Sequence, residues 1–520
     1  MRIMKNRILL LVCSALLIAG NVAYAQNMYD ALRFSEQNSQ GTARSVAMGN
    51  AFVALGGDIG GIFINPAASG VYKYHEASIT ASLSSNSTTN AYLGNSITKN
   101  STTIDLGNVG IVGTFKTGRQ NKGLISWNLG IALNKYQTFY KIDAAGGRTG
   151  SSSYLASLAS GTNGRNATSL DMYDGYDPFA STNASWGSIL AWNASLLDTL
   201  PGTNNSYIAA TENRSGSDIY MAGELDQKYV RDVKGSMSEI MVNFGGNFSN
   251  KLFFGVNVGI HSITYRYSHR YNESAVNTAQ FNSQFKEFSA GYSQKTTGTG
   301  FDIKAGLIFL PTDNLRIGAS ISTPTWMFLY DRWAEDISCS FSDGYQQYIE
   351  SPLGEYDYKL NTPLRWNVGA AYTFGTKGVI SVDYEQVNYS KSRLSDDYIY
   401  SDNFVNENKD IEQTLKLSHI VRVGAEANIT EGFSLRGGYQ FYSSPFGSGY
   451  NPNQIISFGL GYSSNSGYFV DLAYQQKLST TESFTFYDDV YDSGNVIYQA
   501  PVCESTNKLF NLFLTFGIRF

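Results

Sequence analysis

Phe510-Asn511-Leu512-Phe513-Leu514-Thr515-Phe516-Gly517-Ile518-Arg519-Phe520 closes the chain, and it decides the fold. Phe510, Leu512, Leu514, Phe516, Ile518 and Phe520 share one side of an extended strand, with Asn511, Thr515, Gly517 and Arg519 between them. Side chains alternate across a strand, so this segment has one apolar and one mixed face. Leu364, Trp366, Val368, Ala370, Tyr372 and Phe374 repeat the pattern, and Phe433, Leu435, Gly437, Tyr439 and Phe441 repeat it again. Fourteen such runs can be counted, at roughly 74–84, 105–116, 122–137, 236–248, 251–270, 284–310, 314–330, 358–375, 377–391, 412–429, 431–446, 452–464, 467–480 and 507–520.

The linkers decide between a soluble sandwich and a membrane barrel. Connections after the even-numbered runs are tight, such as Ser249-Asn250 and Asn465-Ser466, whereas most of the others are long, the largest spanning 138–235. Short turns on one side and long loops on the other mark an antiparallel transmembrane β-barrel with its turns in the periplasm. The apolar sets then face lipid. The alternate positions place Glu239, Asp302, Lys304, Arg316, Arg365, Asp383, Glu385, Arg422, Glu426, Arg436, Asp471 and Arg519 in the lumen. Segregated charge rings would suit an ion-selective pore. These mixed signs suit either mutual pairing between strands or a clamp on an internal plug.

Composition agrees with this reading and removes its rivals. With 36 Tyr and 30 Phe against 10 Pro and 16% charged residues, the 520-residue chain is not disordered. Its one long apolar run is N-terminal, which excludes a bundle of membrane helices. Arg2, Lys5 and Arg7, the apolar run from Ile8 to Gly20, and Ala23-Tyr24-Ala25 before Gln26 read as a secretory signal peptide over 1–25. Its removal takes three basic residues and moves the net charge from −5 to −8, a poor match for nucleic acid. Cys339 and Cys503 then remain, and the sequence leaves both a disulfide and two free thiols open.

Residues 26–72 do not alternate. Ala43 to Ala54 reads as a small-residue helix, followed by a turn at Gly56-Gly57 and Gly60-Gly61 and an Asn65-Pro66-Ala67 step. Small residues permit close packing, so this segment could fill a barrel or form a periplasmic tail. It is no phosphate loop, because no Lys-Ser/Thr follows the glycines.

The leader, the Ala43-Arg44-x-x-x-Met48-Gly49-Asn50-Ala51-Phe52-Val53-Ala54 stretch, Asn65-Pro66-Ala67 and the fourteen runs together resemble the FadL family of outer-membrane transporters for hydrophobic compounds. The resemblance covers essentially the whole mature chain. It implies an all-β, 14-stranded barrel over 73–520 with residues 26–72 as a lumenal hatch. Asn65, Pro66 and Ala67 would be the hatch's contact with the wall, ligands would be captured by extracellular loops, and a strand kink would open a lateral exit. The implied location is the outer membrane of a Gram-negative-type bacterium. The implied partners are membrane lipid, a hydrophobic small molecule and the outer-membrane assembly machinery, for a monomer with no cofactor. The PorV-type subunit of a secretion system has the same general build and is the nearest competitor.

Within 138–235, Trp186, Leu190, Trp192 and Leu196 lie on a segment spaced as a helix, entered through Thr182-Asn183 and stopped by Pro201-Gly202. An apolar helix on an exposed loop must be covered by its own loop, by another loop or by a ligand, which makes these four residues candidates for a capture groove. Enzyme chemistry finds no support: His75, His261, His269 and His419 show no metal-ligand spacing. Tyr265-Arg266-Tyr267-x-His269 could hold haem but reads more simply as aromatic girdle, and Asp171, Asp174 and Asp177 lack a calcium-loop spacing. The expected function is passive uptake of hydrophobic or amphipathic molecules such as long-chain fatty acids. The alternatives are a secretion or surface-assembly subunit, a haem receptor and a plain porin.

Overall fold

A computed structural model describes residues 26–38, 40–396, 403–492 and 495–520; the expected leader, 1–25, lies outside the described residues. Fourteen strands form a closed antiparallel barrel. They are β1 (Glu76–Tyr92), β2 (Asn95–Lys116), β3 (Leu124–Thr138, continued by Lys141–Thr149), β4 (Leu225–Phe248), β5 (Leu252–Ala275), β6 (Phe285–Phe309) and β7 (Leu315–Ser322 and Trp326–Phe341). The second half comprises β8 (Gly354–Asn361 and Arg365–Thr373), β9 (Gly378–Asn388), β10 (Leu417–Thr430), β11 (Phe433–Tyr442), β12 (Asn453–Ser463), β13 (Tyr468–Thr485) and β14 (Val502–Arg519). β1 closes the ring on β14, from Glu76↔Arg519 to Ala91↔Glu504.

Alternation is realised as two faces. Ile240, Val242 and Phe244 of β4 and Leu512, Leu514 and Phe516 of β14 are exposed, while Met241, Asn243, Phe513 and Thr515 between them are buried. The exposed set runs round the barrel as an apolar belt that only lipid can cover. Even β11, the shortest strand at 10 residues, is long enough to cross a bilayer at the usual tilt. The turns at one end are short throughout, as at Ser249-Asn250, where both residues take positive φ.

The strand ends differ from those read in the sequence. β1 and β2 do not stop at 84 and 105 but form one long hairpin through Leu93-Gly94, both at positive φ. β3 resumes over Lys141–Thr149 and β4 starts at Leu225, so the large loop runs 150–224 rather than 138–235. Above the membrane both faces of a strand carry Ser, Thr and Asn, so the hydrophobic period disappears while the backbone ladder continues. Two further breaks contain proline, Thr323-Pro324-Thr325 in β7 and Thr362-Pro363-Leu364 in β8, where a ladder donor is missing.

The N-terminal segment is also more broken than expected. Residues Met28–Ser35 form a helix, α1, capped by Asn27. The helix read over 43–54 is only Ala43–Ala47, α2, because Gly49 and Asn50 take positive φ and end it. Gly60 and Gly61 lie within a third helix, α3 (Ile59–Ile64), whose N-terminus is capped by the Asp58 carboxylate. A 3₁₀ turn over Pro66–Val71 leads to β1.

Candidate functional site

Residues 41–72 lie directly on the inner wall, near the end of the barrel with short turns. Contact this close is possible only because the facing strand positions lack side chains. A Cβ on Gly306 of β6 would fall 1.8 Å from the Asn65 Oδ1, and one on Gly255 of β5 would fall 2.3 Å from the Pro66 carbonyl oxygen. Gly318 meets the Val53 carbonyl, Gly424 the Met48 carbonyl and Gly438 the Gly49 amide in the same way. Asn65 donates from Nδ2 to the Val53 carbonyl at 2.6 Å and the Leu307 carbonyl at 3.2 Å, and its Oδ1 accepts from the Ala67 N–H at 3.0 Å. The Pro66 carbonyl accepts from Asn243 at 3.1 Å, and Ala67 packs on Phe253 and Ile308. Asn65, Pro66 and Ala67 therefore sit together against β4, β5 and β6.

Lumenal charges hold the same segment elsewhere. Arg44 of α2 forms two hydrogen bonds to Glu426, at 2.9 and 3.2 Å, and Glu426 also accepts from Arg436, which pairs with Asp471. Asp383 accepts from the Val53 N–H at 2.8 Å, and Arg316 reaches the Leu55 carbonyl. Mutual pairing and clamping occur side by side.

Above this contact the lumen carries a polar tier. Lys304 binds both Glu239 oxygens at 2.8 Å, and Glu385 joins Arg365 at 2.8 Å to Arg422 at 2.7 Å. Glu239, His261 and Asp302 converge from three adjacent strands, with ligand atoms within 4.8 Å of one another. Lys304 already occupies the two acids, and the His261 Nδ1 lies 3.0 Å from the Tyr136 hydroxyl. A cavity of about 70 Å³ lies in this tier, bounded by Gln37, Gln40, Phe63, Lys304 and Arg365.

Higher still the lumen is apolar. Met237, Ile263, Tyr265, Met327, Leu329, Leu360, Val387 and Ile420 point inward from six strands and are buried. Leu32 and Phe34 of α1 fill the middle of this chamber, Phe34 meeting Tyr265 edge-on at 6.0 Å. Tyr265 and His269 are thus lumenal, not part of an outer girdle: His269 stacks on Tyr292 at 5.6 Å and lies tilted beside Tyr229. The belt pattern does not continue above the membrane, and the inner face there is the apolar one.

The large loop covers the mouth. A helix over Trp186–Asn193 is capped by Ser185 rather than entered at Thr182-Asn183, because Asn183 adopts a left-handed conformation that ends the preceding helix. Leu190 and Leu196 are fully buried in a loop core that extends onto Phe285 and Phe288 of β6 and Ile337 of β7. Trp186 stacks on Phe179 at 5.8 Å, and Trp192 donates to Asp171 at 2.8 Å; both rings are partly exposed. Asp177 caps a short helix, so it and Asp171 have separate structural tasks. The loop is latched across the mouth by Ser160, which donates to and accepts from the Tyr491 backbone. Beneath it Glu273 accepts hydrogen bonds from Ser153, the Tyr154 N–H, Gln227 and Tyr271, yet burial pushes its carboxyl up to about 7. Cys339 and Cys503 are separate buried free thiols.

Along one seam of the wall the backbone ladder stops and side chains take over, Lys135 pairing with Asp105 at 2.6 Å and Asn95 donating to the Gly146 carbonyl. β2 pairs with β3 only up to Asn108↔Asn134, beside a register shift at Lys135/Gln137, although β2 continues on β1 to Asn95. The upper part of β3 is held by side chains instead, Asn86 donating to the Tyr140 carbonyl and Asn90 to the Ala144 carbonyl.

An antiparallel fourteen-stranded barrel with an apolar belt and a lumen filled by its own N-terminal segment is an outer-membrane barrel. Its fold is that of the FadL-type transporters. Over 93% of this chain and 99% of the other, it superposes on the Pseudomonas putida toluene transporter TodX with a TM-score of 0.52 at 13% identity. A Pseudomonas aeruginosa FadL homologue gives 0.51 at 11% identity over 94% of this chain and 98% of that one. No protein-family model matches the sequence, and no curated protein matches it. The wall glycines, the convergence of Glu239, His261 and Asp302, and α1 escaped sequence reading. Only the strand register could have exposed the first two; Asn27 ahead of an amphipathic turn was a readable signal for the third.

Proposed function

We propose that this barrel takes up hydrophobic or amphipathic small molecules, such as long-chain fatty acids, across the outer membrane without an energy source. The observation that carries the reading is the apolar chamber inside the upper lumen, closed below by residues 41–72. Water-filled porins need a polar interior, whereas an apolar lining gives a greasy ligand a lower free energy than water does. The fold shared with a toluene transporter and a FadL homologue supports the same reading.

In this mechanism the loop surface around Trp186 and Trp192, backed by Leu190 and Leu196, captures the ligand. The ligand then replaces the apolar side chains of α1 in the chamber. Burying Leu32 or Phe34 is worth about 1.5–3 kcal/mol each, so a ligand of similar apolar area exchanges with them at little net cost. Residues 26–72 act as the hatch, with Asn65, Pro66 and Ala67 as its wall contact. The β2–β3 seam, held above Asn108 by side chains rather than by a backbone ladder, is the lateral exit toward the membrane.

The test pairs two recordings on the purified barrel. In planar bilayers it should carry no large constitutive current, and mild-detergent preparations should carry an apolar small molecule identifiable by mass spectrometry. A large steady conductance would make it a porin. A stoichiometric protein partner without any apolar molecule would make it an assembly subunit.

A further inference from the structure

The apolar belt is not uniformly convex. On its outer face a groove of about 930 Å³ crosses the second half of the barrel, bounded by Phe374, Ile380, Phe458, Leu460, Tyr474 and Leu512. Its floor is made by the small outward positions of β10 and β11: Ala425, Ala427 and Gly437. A Cβ on Gly437 would meet nothing within 4 Å, so the depression lies in open space rather than under a neighbouring side chain.

The groove has a direction. One end lies at the short-turn rim, where Lys377, an exposed residue in the turn between β8 and β9, joins the lining. The other end, at Tyr474 and Leu512, lies several residues up β13 and β14, near the middle of an apolar band about 25 Å tall. The lining thus pairs a cation at the periplasmic surface with an apolar trough leading toward the bilayer centre. A phospholipid of the periplasmic leaflet has this distribution, with its phosphate at the surface and its acyl chain pointing to the midplane.

We infer that the groove is a specific binding site for a glycerophospholipid of the inner leaflet, with the phosphate against Lys377 and one acyl chain over Ala425, Ala427 and Gly437. No protein carboxylate on the groove surface opposes the attraction of the ammonium for the phosphate, because the one acid in the lining, Glu426, points inward and is paired with Arg44 and Arg436. The chain fills a concavity that disordered lipid tails would otherwise have to follow. The site is independent of the transport reading, because it lies on the outer face and touches neither the chamber nor the seam.

The experiment reconstitutes the barrel in nanodiscs of phosphatidylethanolamine and phosphatidylglycerol mixed with diacylglycerol of the same acyl chains, extracts it into mild detergent, and counts each retained lipid by native mass spectrometry. The wild type should retain one phospholipid per chain. Ala425→Phe and Gly437→Leu fill the trough from the lipid side and should lower occupancy by about tenfold or more. Lys377→Ala should abolish the preference for phospholipid over uncharged diacylglycerol, and Lys377→Arg should restore it. Heat-modifiable migration shows that each variant is a folded barrel. Unchanged retention in folded Ala425→Phe and Gly437→Leu barrels would overturn the site. So would a mass showing a second copy of the chain in place of lipid, or equal retention of diacylglycerol by the wild type.

Discussion

Replacing Gly306 with alanine tests how residues 41–72 are held. The added methyl would stand where the Asn65 Oδ1 now lies, 1.8 Å from it, and Asn65 has no exposed surface into which to move. Asn65 must leave its position and give up three hydrogen bonds, to the Val53 and Leu307 carbonyls and from the Ala67 N–H. At about 1 kcal/mol net for each bond, seating weakens by about 3 kcal/mol, roughly two orders of magnitude in the seated-to-unseated ratio. Gly306 has no positive φ, so alanine adds no backbone strain of its own. Hydrogen exchange of residues 41–72 should therefore accelerate by about that factor in Gly306→Ala while the barrel amides stay protected. Gly437→Ala, whose methyl points into open space, is the control and should exchange like the wild type. Equal protection in the two variants would refute the idea that wall glycines seat the segment.

Three further outcomes are expected. Arg44→Met removes a two-bonded pair but leaves Glu426 with Arg436; with both partners partly exposed the cost should be about 1–2 kcal/mol, read as faster exchange confined to α2 and its neighbours. Burial raises Glu273 to about 7, so the mouth cap should be most stable below the ordinary carboxyl range and loosen as pH rises through about 7. Protease cleavage within 154–162 should then increase from pH 5 to pH 8 in the wild type, and a Glu273→Gln variant with the same pH dependence would contradict this. Burial also raises the thiols of Cys339 and Cys503, the latter to about 11, so neither should react with a thiol reagent in the folded barrel and both should react on unfolding.

Alternation in segments such as Phe510–Phe520 and Leu364–Phe374 carried all fourteen strands, because in a membrane the outer face has no choice but to be apolar. Where the strands leave the bilayer that compulsion ends, and the Ser, Thr and Asn of β1 and β2 from Ser84 to Thr103 read as loop although they are paired throughout. Asn65, Pro66 and Ala67 could be singled out from their type, but their partners Gly255 and Gly306 could not. A glycine kept clear for another segment looks the same in sequence as one that merely lightens a strand. Trp186 and Trp192 stood out as apolar residues on a loop, while the larger apolar surface, the chamber around Phe34, is scattered over six strands and α1 and emerges only when they close.

The account rests on hydrophobic molecules passing through this barrel, and uptake measures that directly. In a host lacking its own outer-membrane fatty-acid route, expression of the chain should restore accumulation of a labelled long-chain fatty acid without admitting a labelled hydrophilic sugar of similar mass. Restored sugar entry, or fatty-acid accumulation no faster than in the empty host despite a correctly assembled barrel, would contradict it.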